Sequence, residues 1–186
     1  MAGEGRRMRV VAGELGGRTI LAPAAGTEEV RPTTDRVREA LFSMLGDLEG
    51  ASVLDLFCGT GALAVEALSR GAAEATLVDV DPALARRNVE ALELANRARL
   101  VAADALAFCA RDGGRYDLVL CDPPYRLAAA LGPELDRALP ARLAAGARVI
   151  VESSPGAPLG LSLPLIRERR YGASLIRIHG AGEDAS

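Results

Sequence analysis

A chain of 186 residues, 49% hydrophobic and 25% charged, has the composition of a soluble globular domain and is long enough to bury one sizeable core. Its net charge of −3, from 22 basic and 25 acidic residues, argues against a uniformly basic nucleic-acid binder, so any such contact has to be local. Cys58, Cys109 and Cys121 are too few and too scattered for a disulfide framework or a structural zinc site, which points to a reducing, cytoplasmic setting with no metal. No apolar run approaches the ~18 residues of a membrane span, and the arginines of the N-terminal MAGEGRRMRVV are not followed by the apolar core of a signal peptide. Every basic residue is Arg and none is Lys. GC-rich coding accounts for that bias together with the Ala, Gly and Pro load, so only the placement of the arginines can argue for function.

Residues 1–7 read as a tail. MRVVAGELGGRTILAP (8–23) reads as two short strands around a Gly-rich turn. Arg6, Arg7, Arg9 and Arg18 outnumber Glu4 and Glu14 over the first 20 residues, a local basic excess that suits an RNA-contacting appendage. RPTTDRVREALFSMLGDL (31–48) opens on helix-capping residues. Val37, Leu41, Met44, Leu45 and Leu48 follow at helical spacing.

From residue 51 strands and helices alternate. Strands are expected at SVLDLF (52–57), ATLVDV (75–80), RLVAAD (99–104), YDLVLC (116–121) and ARVIVES (147–153). Helices are expected at 62–70, from Pro82 as first helical residue to about Ala95, at 105–111, and from Pro133 to Leu143 with a break at Pro140. The Ala-rich 126–132 stretch reads as a loop, as does 153–161. LPLIRERRYG and SLIRIHG form a closing strand pair. Such alternation builds a mostly parallel sheet wrapped by helices, with an antiparallel pair at one edge. Three divisions follow: a tail and hairpin over 1–30, a main domain over 31–180 and a tail over 181–186.

Two motifs carry chemistry. In LDLFCGTGAL (54–63), Gly59 and Gly61 shape a tight turn that opens a helix at the carboxyl end of a strand. Asp79 ends the next strand, where a carboxylate accepts the two hydroxyls of a ribose. The same glycines satisfy a dinucleotide fingerprint. Asp55, placed to hold an ammonium, and Asp104, placed to accept from an adenine amine, favour S-adenosylmethionine over an anionic pyrophosphate. All three acids could instead simply cap helices or turns.

The second motif is CDPPY, at Cys121, Asp122, Pro123, Pro124 and Tyr125. Proline cannot donate to a ladder, so the strand must stop there. The Asp122 carboxylate and the Pro123 carbonyl can both accept from the NH₂ of a base and free its lone pair. Pro123 and Pro124 fix those directions, and Tyr125 offers a ring for an extruded base. Alignment then does most of the work, and a strong mobile base is not required. His179, the only histidine, reads as incidental.

Asp122-Pro123-Pro124-Tyr125 resembles the (N/D)PP(Y/F) motif of amino-group methyltransferases. With LDLFCGTGALAVEALSRGA (54–72), RPTTDRVREALF (31–42) and RVVAGELGGRTI (9–20), the chain resembles the bacterial 16S rRNA guanine-N2 methyltransferase family, RsmD, from about residue 8 to residue 179. The resemblance implies a class I methyltransferase (Rossmann-like) fold. That is an α/β, doubly wound, seven-stranded sheet whose last strand is antiparallel, with an N-terminal β-hairpin extension. It implies S-adenosylmethionine as donor, S-adenosylhomocysteine as product, and the N2 amine of a guanine in 16S rRNA as acceptor. The substrate would be the small ribosomal subunit or a late assembly intermediate, met in the cytoplasm by a monomer. It also implies that Arg31, Thr33 and Thr34 line the cofactor site and that the hairpin helps to hold RNA. Three alternatives remain: an adenine-N6 methyltransferase, disfavoured by an acid rather than Asn at 122; a nucleotide-dependent oxidoreductase, which leaves CDPPY unexplained and would need a catalytic lysine; and a non-catalytic adenosine-binding assembly factor, disfavoured because all the motif residues are present.

Overall fold

The computed structural model describes residues 7–23 and 34–182, except for the side chain of Tyr125. Arg6, Arg31 and Thr33 therefore lie outside the described residues.

Strands β1 (Arg7–Arg9) and β2 (Thr19–Leu21) pair antiparallel as the N-terminal hairpin. Helix α1 (Asp35–Leu45) follows, with Thr34 as its N-cap accepting from the Val37 N–H at 3.4 Å. The alternating part runs β3 (Ser52–Leu56), α2 (Ala62–Ser69), β4 (Glu74–Asp79), α3 (Ala83–Ala91), β5 (Ala98–Ala102), α4 (Ala105–Arg111), β6 (Tyr116–Cys121) and α5 (Tyr125–Ala138). It closes with β7 (Leu143–Ser153), β8 (Leu165–Tyr171) and β9 (Ser174–Gly180).

The seven strands are ordered β5-β4-β3-β6-β7-β9-β8. β5 to β7 are parallel, and β9 is antiparallel to both β7 and β8. This is the doubly wound sheet with an antiparallel last strand that the sequence implies. The alternating pleat gives the sheet two cores. Val53, Leu77, Leu118, Leu120, Ile150, Ile176 and Ile178 face α1, α2, α3 and the hairpin. Leu54, Leu56, Val78, Val119, Cys121, Val149 and Val151 face α4 and α5. No helix among the described residues is long and apolar enough to cross a membrane.

One expected element is corrected. The helix predicted from Pro133 starts at Tyr125, so 126–132 is helix rather than loop, and Pro133 lies inside it. Proline costs an interior helix about 3 kcal/mol. Burial of Ala128, Leu135 and Leu139 against the second core recovers several kcal/mol, at about 1.5–3 for a fully buried large aliphatic side chain. The apolar positions 128, 131, 135 and 139 keep helical spacing straight across the proline. A 3₁₀ turn at Pro140–Arg142 ends the helix, and β7 starts at Leu143, four residues ahead of the predicted 147. Smaller shifts place Pro82 at the N-cap of α3 and end that helix at Ala91.

The hairpin is fastened to α2 and α3. Every residue of α2 is buried, including Glu66 and Ser69. The Glu66 carboxylate accepts from the N–H groups of Val11 (2.7 Å) and Ala12 (3.1 Å) and from Arg70 Nε (2.7 Å). Ser69 Oγ accepts from Leu15 N–H and donates to the Ala12 carbonyl. The fit is close: a Cβ on Gly13 would come within 1.8 Å of the Ser69 carbonyl oxygen. Bonds to a buried charge contribute about 1.5–3 kcal/mol each. Glu66→Ala should therefore lower stability by about 3 kcal/mol or more in urea unfolding, with protease cleavage appearing first within residues 10–18. A loss below about 1 kcal/mol would show that the hairpin is held by its apolar residues alone.

Candidate active site

The parallel strands place their carboxyl ends along one rim. Val78, Leu56 and Cys121 form a row across β4, β3 and β6. One residue further come Asp79, Phe57 and Asp122. The chain leaves β3 toward β4 and β5 and returns on its other side as β6. This row therefore sits at the topological switch point, where ligands bind in open α/β sheets.

The glycine turn fills the gap between β3 and α2. Phe57 takes a left-handed φ of 61°, at a cost of about 1–2 kcal/mol for a non-glycine residue, and directs the chain into the turn. The two glycines have different jobs. At Gly61 (φ 74°) a Cβ would meet Leu77 Cδ2 at 2.9 Å and Ala85 Cβ at 3.2 Å, so this glycine lets α2 close on β4 and α3. At Gly59 (φ 51°) nothing lies within 4 Å of that position, which leaves the backbone open to a ligand.

Gly61 is also the N-cap of α2 and has no side chain to satisfy the first N–H groups. Asp55 does so from the neighbouring strand: its Oδ2 accepts from Ala64 N–H at 3.1 Å. Asp55 is 1% exposed, and its Oδ1 is buried with no hydrogen-bond partner. Burial pushes its pKa up to about 7, opposed by the Ala64 N–H and aided by the Asp79 charge. A buried carboxylate oxygen without a donor costs about 1–3 kcal/mol, and a cation placed beside it would remove that cost.

Asp79 holds the turn as well as facing the rim. Its Oδ2 accepts from Gly59 N–H at 2.9 Å and its Oδ1 from Asp81 N–H at 3.0 Å. Each oxygen keeps a second lone pair for a hydroxyl donor. Asp104, past the end of β5, caps α4 through Ala107 N–H at 2.9 Å. Both acids thus have the capping roles set out above, and capping leaves acceptor sites free. Asp122 is half-buried, Pro123 is buried, and Pro124 is the N-cap of α5 with extended backbone (φ −51°, ψ 130°). Tyr125 opens that helix, and its ring lies outside the description. Thr34 is exposed and caps α1. Arg7 and Arg9 are exposed on β1, and Arg18 donates to the Ala91 carbonyl at 3.1 Å. Burial raises the pKa values of Cys58 and Cys121 far above neutrality, so neither thiol is a nucleophile.

Several residues that support the site escape motif reading. Asn88 on α3 is 1% exposed and bonds the hairpin to the turn. Its Nδ2 donates to Leu21 O (3.0 Å) and Thr60 O (2.9 Å), and its Oδ1 accepts from Leu21 N–H (2.7 Å). Arg38, 1% exposed on α1, donates to Arg9 O (2.5 Å) and Asp35 Oδ1 (2.7 Å). Val80, directly after Asp79, is 76% exposed, an apolar surface on the rim. Asn88 shares a helical stripe with Ala85, Val89 and Leu92, and a polar residue in such a stripe signals a buried partner.

The Asp55 geometry sets a pH dependence. Its folded pKa lies above the unfolded value near 3.8, so the folded chain binds the extra proton between about pH 4 and 7. Stability from this group is full below pH 4 and lost as pH rises through about 7. Asp55→Asn should remove that slope in chemical unfolding of the free protein. An identical slope in the variant would place the titration elsewhere.

Comparisons with known proteins agree with this architecture. Residues 8–180 match the family model described as Conserved hypothetical protein 95. Ribosomal RNA small subunit methyltransferase D of Escherichia coli (strain K12) is 42% identical over 123 residues, 64% of this chain and 61% of that protein. The chain thus spans about 61% of the length of that curated relative. The solved structure of the yhhF protein of Escherichia coli superposes with a TM-score of 0.80 at 36% identity, over 94% of this chain and 98% of that one. An RNA methyltransferase from Salinibacter ruber, solved in complex with S-adenosyl-L-homocysteine, shares the fold at 18% identity, with a TM-score of 0.64 over 83% of this chain and 95% of its own. With residues 8–180 matched, the chain belongs to the Conserved hypothetical protein 95 family, the RsmD family that its RPTTDRVREALF and DPPY segments resemble.

Proposed function

We propose that the chain transfers a methyl group from S-adenosylmethionine to the exocyclic N2 amine of a guanine in 16S rRNA. The observation that carries the reading is the row of strand ends that sets Asp122 and Pro123 beside the glycine turn and Asp79. Family membership and the relative named for small-subunit rRNA methylation support the acceptor.

The residues present fit the cofactor. The orphaned Asp55 Oδ1 and the open space over Gly59 suit a ligand with a cationic amino-acid end. Asp55 would face the ammonium, Gly59 and Gly61 would line the amino-acid portion, and Asp79 would accept from the ribose hydroxyls. Asp104 would accept from the adenine amine, with Val80 against one face of the ring. Arg31, Thr33 and Thr34 would close the site from the segment leading into α1. The cofactor supplies an electrophilic methyl group when bound.

The chain's own part is to bind and orient the amine. The Asp122 carboxylate and the Pro123 carbonyl accept from the two amine hydrogens and pull the nitrogen out of conjugation with the ring. The two prolines hold both acceptors in place, so little reorganisation is needed on reaction. Tyr125 would supply the ring against which the guanine lies. Arg7, Arg9 and Arg18 on the hairpin, together with Arg6 before it in the sequence, would contact RNA phosphates. The protein would act in the cytoplasm as a monomer, on the small subunit or a late assembly intermediate.

Asp122→Ala should abolish methyl transfer while changing S-adenosylhomocysteine affinity by less than about threefold; comparable activity in the variant would sink the assignment. The acceptor is tested by incubating the protein with labelled donor and unmethylated small subunits, then digesting the RNA. N2-methylguanosine is the expected product, and N6-methyladenosine would replace the guanine reading.

A further inference from the structure

The edge strand β8 carries a basic surface that the motifs leave unassigned. Its sequence is LIRERRY, and every residue from Leu165 to Arg170 is exposed. Its outer edge pairs with no strand among the described residues. Glu168 is neutralised by Arg177 at 2.7 Å. No carboxylate among the described residues lies within ion-pair distance of Arg167, Arg169 or Arg170. Arg169 and Arg170 bond only to backbone carbonyls of their own hairpin, Glu168 O at 2.9 Å and Gly172 O at 3.2 Å. Arg167 and Arg169 thus share one face of β8 and Arg170 stands on the other, three cations on one edge strand of a protein of net charge −3.

Register places them relative to the site. Cys121 pairs with Val151, Val151 with Arg177, and Arg177 with Glu168. One residue further along each strand, Asp122 falls in the same row as Glu152, Ile176 and Arg169. β8 runs in the direction of β6, so Arg170 lies one step beyond Arg169 at the rim that holds Asp122. Three strand spacings separate β8 from β6, about 14 Å. Among the described residues the only acid between them in that row, Glu152, is buried and accepts from Ser174 Oγ at 2.7 Å, so that row of the sheet presents no exposed carboxylate between Asp122 and Arg169.

We infer that Arg167, Arg169 and Arg170 form a second RNA contact, holding the phosphodiester backbone of nucleotides that flank the target base. The inference rests on the proposed RNA substrate. Guanidinium groups bind phosphate oxygens well. A base extruded to Asp122 leaves its neighbours on the rim, and a strand of phosphates crossing toward β8 meets these three groups. Arg7 and Arg9 are exposed on β1, on the α2–α3 side of the sheet, and β8 lies at the far edge, so the two basic surfaces fall on opposite sides of the catalytic strand. Charges on an edge strand also deter pairing with other chains, and the test separates that role.

The experiment compares the wild-type chain with Arg167→Gln/Arg169→Gln/Arg170→Gln and with the matching triple Lys variant. Affinity for unmethylated small subunits and for a single-stranded RNA oligonucleotide is measured from 50 to 200 mM salt. S-adenosylhomocysteine binding reports folding. The Gln variant should bind RNA on the order of tenfold more weakly at low salt, with the salt slope reduced by about 2, and the Lys variant should restore both. If the triple Gln variant loses S-adenosylhomocysteine binding, Arg169→Gln alone should reduce the slope by about 0.7. Unchanged affinity and slope would overturn the inference, and so would a Gln variant that dimerises while binding RNA as before. Failure of the wild-type chain on subunits, with the oligonucleotide slope still dependent on the three arginines, would reject the rRNA assignment and keep the contact.

Discussion

A helix with no exposed residue must satisfy all its polar groups from inside the protein. α2 is such a helix, and its eight residues organise much of what surrounds them. At its start, Asp55 reaches from β3 to Ala64 N–H, and Thr60 Oγ1 accepts from Ala62 N–H. At its end, Arg97 Nη2 donates to the carbonyls of Leu68 and Ala72. Glu66 in its second turn and Ser69 at its last position are met by backbone groups of the N-terminal segment. An unpaired group here would cost about 1–3 kcal/mol, so the hairpin and the buried acid of β3 both follow from the burial of one helix.

The same economy runs through the site. Asp79 braces the glycine turn and Asp104 caps α4, and each carboxylate keeps acceptor capacity beyond those bonds. Such acids are held in place before any ligand arrives, which lowers the entropy lost on binding. Asp55 differs, because one of its oxygens has no donor at all. That imbalance sits two residues before the left-handed Phe57, so a buried unpaired oxygen and a strained backbone meet at the entrance to the glycine turn.

The alternating strands and helices were legible because buried parallel strands are short apolar runs bounded by turn residues. β6 was read to the residue, since two prolines and an acid leave no doubt where a ladder stops. α5 departs from that logic: a proline ordinarily marks a helix boundary, yet here Pro133 lies inside the helix and the apolar spacing crosses it. The glycine turn, Asp55, Asp79 and CDPPY were visible because each sits at a strand end with a fixed spacing. Glu66, Asn88 and Arg38 were not visible as site supports. The partners that tie them to the hairpin and the turn are main-chain groups far along the sequence, and a backbone group has no letter of its own.

The segment between β1 and β2 has the letters of a surface loop, rich in glycine, and loops of that kind ordinarily accept length changes. This one is bound at nearly every other residue. Val11 and Ala12 meet Glu66, Glu14 and Leu15 meet Ser69, Arg18 meets Ala91, and Leu21 is held by both edges of the Asn88 amide. A single inserted or deleted residue there would shift every later partner by one peptide and break several of these bonds at once. Related chains should vary between residues 10 and 21 by substitution while keeping the count of residues fixed, as a core strand does.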